Sequence, residues 1–187
     1  MSFNSTDYEI LLSEYSNRDR AIALLQQYRP YLELLPSLRR AADSLVPIPL
    51  PLLRLRSLET GRYEVKRASC ELAMLMCDPQ WKVKMGSEVL IFIHRAAEDF
   101  SGLLSRWRQT QIDLHGEYEW LMPLAEQHMF NERAEQIYPL FVVFPETPER
   151  IMRGLTGAGL PFVVPELPRG ADCDRPDAVT LPDGTSS

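Results

Sequence analysis

The stretch YPLFVVFPETPERIMRGLTGAGLPFVV, Tyr138 to Val164, holds two near-copies of one apolar run, PLFVVFP and LPFVVPE, on either side of a segment with helix signals. Short unbroken runs of Val and Phe suit strands buried inside a sheet. Between them Thr147 is placed to cap a helix, Pro148 to open its first turn and Glu149 to meet the positive end of its dipole, while Gly154, Gly157 and Gly159 mark its end. The economical arrangement is a right-handed crossover joining two parallel strands. The stretch therefore predicts a sheet, and with it an α/β (α+β) fold. A mostly α-helical bundle is the alternative.

Working back toward the N-terminus, Ala96 to His128 predicts a long helix, because Phe100, Leu103, Leu104, Trp107, Ile112, Leu114, Tyr118, Leu121 and Met122 return near every third or fourth place. Gly116 and Pro123 should bend or divide it, and a short helix around Asn131 to Ile137 follows. Before the long helix comes a three-strand meander. RYEVKR follows the Thr60-Gly61 turn, CELAMLMC and KVKM form a hairpin turning on Asp78 and Pro79, and VLIFIH follows the Gly86-Ser87 turn. A helix starting at Ser87 competes for that last segment. VPIPLPLL, Val46 to Leu53, has prolines at alternate positions and reads as an extended connector. Ile22, Leu25, Tyr28 and Leu32 recur at helix spacing, with Ser16 or Asn17 as cap and Pro30 in the first turn of a second helix that begins near Arg29. The expected organisation is N-terminal helices over 1–45, a proline-rich connector over 46–57, an α/β core over 58–166 and an irregular tail over 167–187.

The bulk numbers agree with this plan. A chain of 187 residues suits one compact domain of about 160 residues and a tail. With 45% hydrophobic and 25% charged residues, and no apolar run near the roughly 20 residues that cross a bilayer, the composition predicts a cytoplasmic protein without membrane contact. The acidic N-terminus lacks the basic start of a signal peptide. Cys70, Cys77 and Cys173 lack metal-ligand spacing and read as small apolar core residues. The charge is unevenly spread. Residues 39–67 carry seven Arg or Lys (Arg39, Arg40, Arg54, Arg56, Arg62, Lys66, Arg67) against three acids, whereas residues 109–149 carry eight acids against Arg133. A basic face and an acidic face would result, fit to hold an anionic partner or to associate head to tail as a homo-oligomer.

Motifs for chemistry are few. GLTGAG follows a helix where a phosphate cradle must precede one, and neither a nucleophile elbow nor a zinc-type histidine pairing is present. His128 and Glu132 could share a helical face but lack a third ligand, and His94 reads as a structural histidine. No cofactor, metal or catalytic set is expected.

The hairpin ELAMLMCDPQWKVK, the strand VLIFIHRAAE entering a long helix, and the strand-to-helix step YPLFVVFPETPERI follow the order of a restriction-endonuclease-like core. Over Cys70 to Gly154 the chain resembles plasmid replication-relaxation proteins built on that core. The resemblance would imply metal-dependent cleavage only with two carboxylates and a lysine converging on metal and water. Asp78 and Glu88 occupy plausible acid positions, but Leu90 stands where the pattern needs lysine, and Lys82 and Lys84 lie on the preceding strand. The attacking water then lacks its partner.

Two expectations follow for function. The first is a non-catalytic regulator, inhibitor or accessory factor, of the kind found in phages and mobile elements, that binds another protein. The alternative is a DNA-associated protein on a degenerate nuclease-like scaffold, with Arg54, Arg56, Arg62, Lys66 and Arg67 meeting phosphates. A sequence pI near 5.2 weighs against the alternative.

Overall fold

The computed structural model describes residues 5–35, 38, 44–57, 59–76, 87–122 and 136–165. The chain is α+β. Helices α1 (Ser5–Tyr15), α2 (Arg18–Gln27) and α3 (Arg29–Leu34) lead into strands β1 (Leu45–Pro49), β2 (Leu52–Arg56), β3 (Tyr63–Arg67), β4 (Leu72–Met76) and β5 (Ser87–Ile93). Helix α4 (Phe100–His115), β6 (Tyr118–Leu121), β7 (Gln136–Val142), α5 (Glu149–Gly157) and β8 (Phe162–Val163) complete it. The strands form a mixed five-stranded sheet, in the order β1-β4-β5-β7-β8, and an antiparallel three-stranded sheet, in the order β3-β2-β6.

The two look-alike runs lie side by side as parallel strands, Phe141 opposite Phe162 and Val142 opposite Val163. β7 is interior, flanked by β5 and β8, whereas β8 is a two-residue edge. Burial explains the unbroken patterns. Every side chain of β4 is buried, as is every one from Val89 to Ile93, because the large sheet is covered on both faces. One face packs on α1, α2 and α3 through Leu11, Leu24 and Leu25 against Met74, Ile91 and Leu140. The other packs on α4, α5 and the small sheet through Phe92, Phe141, Leu103, Leu155, Leu53 and Trp120. VLIFIH is thus a strand, and the all-helical alternative does not describe the molecule.

Several expectations give way to the structure. The stretch read as a connector is two strands, β1 and the central strand of the small sheet, β2. Its prolines fit because of parity. The Leu50 amide donates to the Glu71 carbonyl (2.8 Å) and β1 is antiparallel to β4, with Pro49 opposite Leu72 and Pro47 opposite Met74, so even-numbered residues point their amides at β4 and the prolines, which have no N–H, fall where a donor would face outward. On that outward side Arg18 Nε donates to the Leu45 carbonyl (2.8 Å). Leu50, at a positive φ of 45°, then turns the chain from one sheet into the other. The meander is likewise divided, because β3 pairs with β2 and only β4 and β5 are neighbours.

The long helix stops at its Gly116 cap, and Tyr118 to Leu121 form β6 instead of continuing it. Gln136 and Ile137 open β7 instead of closing a helix. Asn17 caps α2 through bonds from the Asp19 and Arg20 amides, and Pro30 sits in the first turn of α3, as the sequence predicts. Thr147 does not cap α5. Its hydroxyl turns inward to accept from the Phe144 amide (2.9 Å), and Pro148 takes the cap position without a side-chain bond. Gly154 lies inside α5, where a Cβ would stand 2.9 Å from the Phe100 ring of α4, so the two helices meet at a place only glycine fits. The Asp78-Pro79 turn, KVKM, the 131–135 part of the short helix, Cys77, Cys173, His128, Glu132 and the tail lie outside the described residues.

The helical layer makes one prediction. Tyr15 and Tyr31 are buried, and burial raises both phenols above their ordinary value near 10.0; Tyr31 also donates to the Pro139 carbonyl. The unfolded chain releases these protons first, so their contribution to stability is present below pH 10.0 and is lost as pH rises above it. Tyrosinate absorbance followed against pH should show these two rings ionising together with loss of helical circular dichroism. Ionisation in the intact fold would refute the assignment.

Candidate functional site

Three constellations of polar residues invite a functional reading, and the first lies at the carboxyl ends of the parallel strands, where open α/β sheets commonly bind ligands. Glu71, just before β4, is buried yet carries a carboxylate. Arg106 Nη1 donates to both of its oxygens (2.8 and 2.9 Å), Arg95 donates through Nη2 (2.8 Å) and Nε (3.2 Å), the Ile93 amide donates at 2.8 Å and the Tyr8 hydroxyl at 3.2 Å. Arg106 is spread further, to the Glu98 carboxylate (2.7 and 2.8 Å) and the Ile93 carbonyl (2.9 Å). Burial pulls the Arg106 guanidinium down in pKa, and the Glu71 and Glu98 carboxylates outweigh that, holding it above its ordinary range. With both oxygens occupied by charge-assisted donors, Glu71 has no lone pair left for a substrate proton. The cluster clamps α1, β5, the loop after β5 and α4 together. His94 beside it is buried, its Nε2 meets the Glu98 carbonyl (2.9 Å) and its Nδ1 lies 3.4 Å from Thr147 Oγ1.

The second is Glu88 of β5, fully buried, which accepts from Trp120 Nε1 (2.8 Å) and the Tyr118 hydroxyl (3.2 Å) of β6. It therefore fastens the small sheet onto the large one. Of the acids that the nuclease resemblance singles out, Asp78 lies outside the described residues, and Glu88 faces this interior contact with Leu90 buried in the same apolar cluster. Glu88→Leu is expected to lower stability by about 1–3 kcal/mol, because the indole N–H is stranded without an acceptor, and Glu88→Gln by less. Urea unfolding of both variants checks the order.

The third is the outward face of the small sheet. Strand parity places Leu52, Arg54 and Arg56 of β2 beside Arg67, Val65 and Tyr63 of β3, with Leu121 and Glu119 of β6 on the other flank. Tyr63 is 64% exposed, Val65 60% and Leu52 42%. Arg54 pairs with Glu119 (2.9 Å) and Arg56 with Glu117 (3.0 Å). Of the predicted phosphate-binding residues, then, Arg54, Arg56 and Arg67 share this face, and Arg62 is exposed at the turn just before β3. Lys66 points to the opposite side, where it pairs with Asp113 of α4 (2.9 Å). Among the described residues the basic and acidic segments of the sequence meet instead of forming two opposed faces. Three residues of the basic segment, Arg54, Arg56 and Lys66, pair with three of the acidic segment, Glu119, Glu117 and Asp113, inside one small sheet and its helix.

Sequence reading missed Tyr63, Val65 and Leu52 as surface, and the Glu71–Arg106 cluster altogether. The first were detectable, since LLRLR and RYEVKR both alternate with period two, which marks a sheet with one wet face. The cluster joins residues distant in sequence and leaves no spacing to find. No protein-family model matches the chain, and searches of curated proteins and of solved structures returned no match. Among the described residues there is no group of three or more His, Cys, Asp or Glu placed to hold a metal, and no helix long and apolar enough to cross a membrane.

Proposed function

We propose that the chain is a non-catalytic protein-binding factor, a regulator, inhibitor or accessory protein, that meets its partner through the outward face of the β3-β2-β6 sheet. The observation that carries this reading is the exposure of Leu52, Tyr63 and Val65 among arginines on one flat face. Tyr and Arg are among the side chains that most often anchor protein interfaces. Three arginines stand there against Glu117 and Glu119, both already paired, which favours a partner with an apolar patch rimmed by acids. A protein is favoured over nucleic acid because exposed Leu52, Tyr63 and Val65 would be covered by an apolar patch and not by phosphates.

A photo-crosslinking residue placed at Tyr63 should trap one protein from native extract, and the trapped protein, once purified, should bind the wild type and lose binding to Leu52→Asp and Arg54→Glu. The same residue placed at Asn17, on the helical side, should trap none. Salt-sensitive binding of duplex DNA that Arg54→Glu and Arg67→Glu abolish would instead establish the DNA-associated reading.

A further inference from the structure

The three-stranded sheet ends at β3, and among the described residues no strand pairs with its outer edge. The Ser57 amide donates to the Arg62 carbonyl and the Ala68 amide to the Pro51 carbonyl, both at 2.9 Å. With the register Leu53 to Lys66 and Leu55 to Glu64, the even-numbered residues of β3 use their amides and carbonyls on β2. Those of Tyr63, Val65 and Arg67 therefore point outward, along a strand that contains no proline.

We infer that this edge pairs antiparallel with the same edge of a second copy, about a two-fold axis at Val65, giving a closed dimer with a continuous six-stranded sheet. Only pairings that set odd-numbered residues against odd-numbered ones use the outward amides and carbonyls. Centred on Val65, the pairing sets Val65 against Val65 of the second copy, Tyr63 against Arg67, and Glu64 against Lys66. Each contact occurs twice, as an isologous interface requires. A slip of two residues one way faces Glu64 with Glu64, and the other way faces Lys66 with Lys66, and like charges directly opposite are unfavourable. The charges of YEVK thus select one register. Tyr63 beneath the Arg67 guanidinium adds a cation–π contact. On the inner side of the same edge a groove of about 740 Å³ is lined by Leu55, Glu64 and Ile112, and Ile112 is 66% exposed, so a second copy would approach apolar surface there as well. The pairing shares Tyr63, Val65 and Arg67 with the proposed partner face but does not depend on that face binding a partner, because its register is set by Glu64 and Lys66 on the inner side of the sheet.

Sedimentation equilibrium of the full chain tests it. The wild type should populate a dimer as concentration rises. Glu64→Lys and Lys66→Glu should each weaken it by about tenfold or more, since each converts two attractive pairs into repulsive ones, and an equimolar mixture of the two variants should restore it as a heterodimer. Val65→Pro removes an amide that points away from β2 and should also yield monomer, with circular dichroism unchanged. This variant keeps the test open if Lys66→Glu, which also loses Asp113, fails to fold. A wild type that stays monomeric throughout, or a dimer indifferent to Glu64→Lys and Val65→Pro, overturns the inference.

Discussion

Glu71→Ala is expected to destabilise the fold by about 3–5 kcal/mol, the range for removing one member of a buried ion pair. The loss arises less from the attraction forfeited than from what stays behind. Arg106, whose side chain is 11% exposed, keeps Glu98 but loses its other carboxylate, and the Ile93 amide and Tyr8 hydroxyl lose their acceptor. Because Glu98 remains, the lower part of the range is expected. Tyr8 is the contact from the helical layer, so amide exchange in α1 should quicken more than in α5. Urea unfolding supplies the magnitude. A change below about 1 kcal/mol would mean that the cluster is wet and of little structural consequence.

Phe92→Ala should cost as much, about 3–5 kcal/mol for a fully buried ring whose space cannot collapse. Its ring stacks on Phe141 (5.3 Å between centroids), meets Trp107 edge-on (5.8 Å) and lies beneath the Arg106 guanidinium (5.7 Å). Removing it therefore loosens the same arginine that Glu71 holds. The double variant Phe92→Ala with Glu71→Ala should fall short of the sum of the singles by about 0.5–3 kcal/mol, the coupling expected of residues that share a neighbour. Additive losses would show that the aromatic stack and the ion cluster are separate. Trp107 fluorescence in the single variant reports the same packing.

How much of this was legible in the sequence depends on the length scale of each interaction. The parallel pairing of β7 with β8 could be read from FVVF and FVV because complete burial leaves an unbroken apolar run. β6 could not, since Tyr118 and Leu121 also satisfy helix spacing, and the decision falls to Gly116, which ends α4, and to Leu53 and Leu55, which pair with Trp120 and Tyr118. Pro47 and Pro49 argued against a strand, and only the register shows that their missing amides face outward, where no bond is lost. Among the candidate site residues, Arg54, Arg56 and Arg67 lie close in sequence and share one face of the sheet. Lys66, grouped with them in the sequence, lies on the other side because side chains alternate along a strand. The acidic partners of Arg54, Arg56 and Lys66, 65, 61 and 47 positions further on, became identifiable only once β6 and α4 were placed.

The prolines of β1 also decide how far the molecule can grow. Strand-by-strand polymerisation, the route to amyloid, requires an unbroken row of donors along an exposed margin. At β1 two donors are absent and Arg18 occupies a neighbouring acceptor, so that margin is a dead end. A two-fold union at β3 would consume that strand's margin in the act of forming, leaving β6 and the two-residue β8 as the other end strands. Pairing through β3 therefore closes on itself, because each copy spends its β3 margin on the other and keeps none there to receive a third chain.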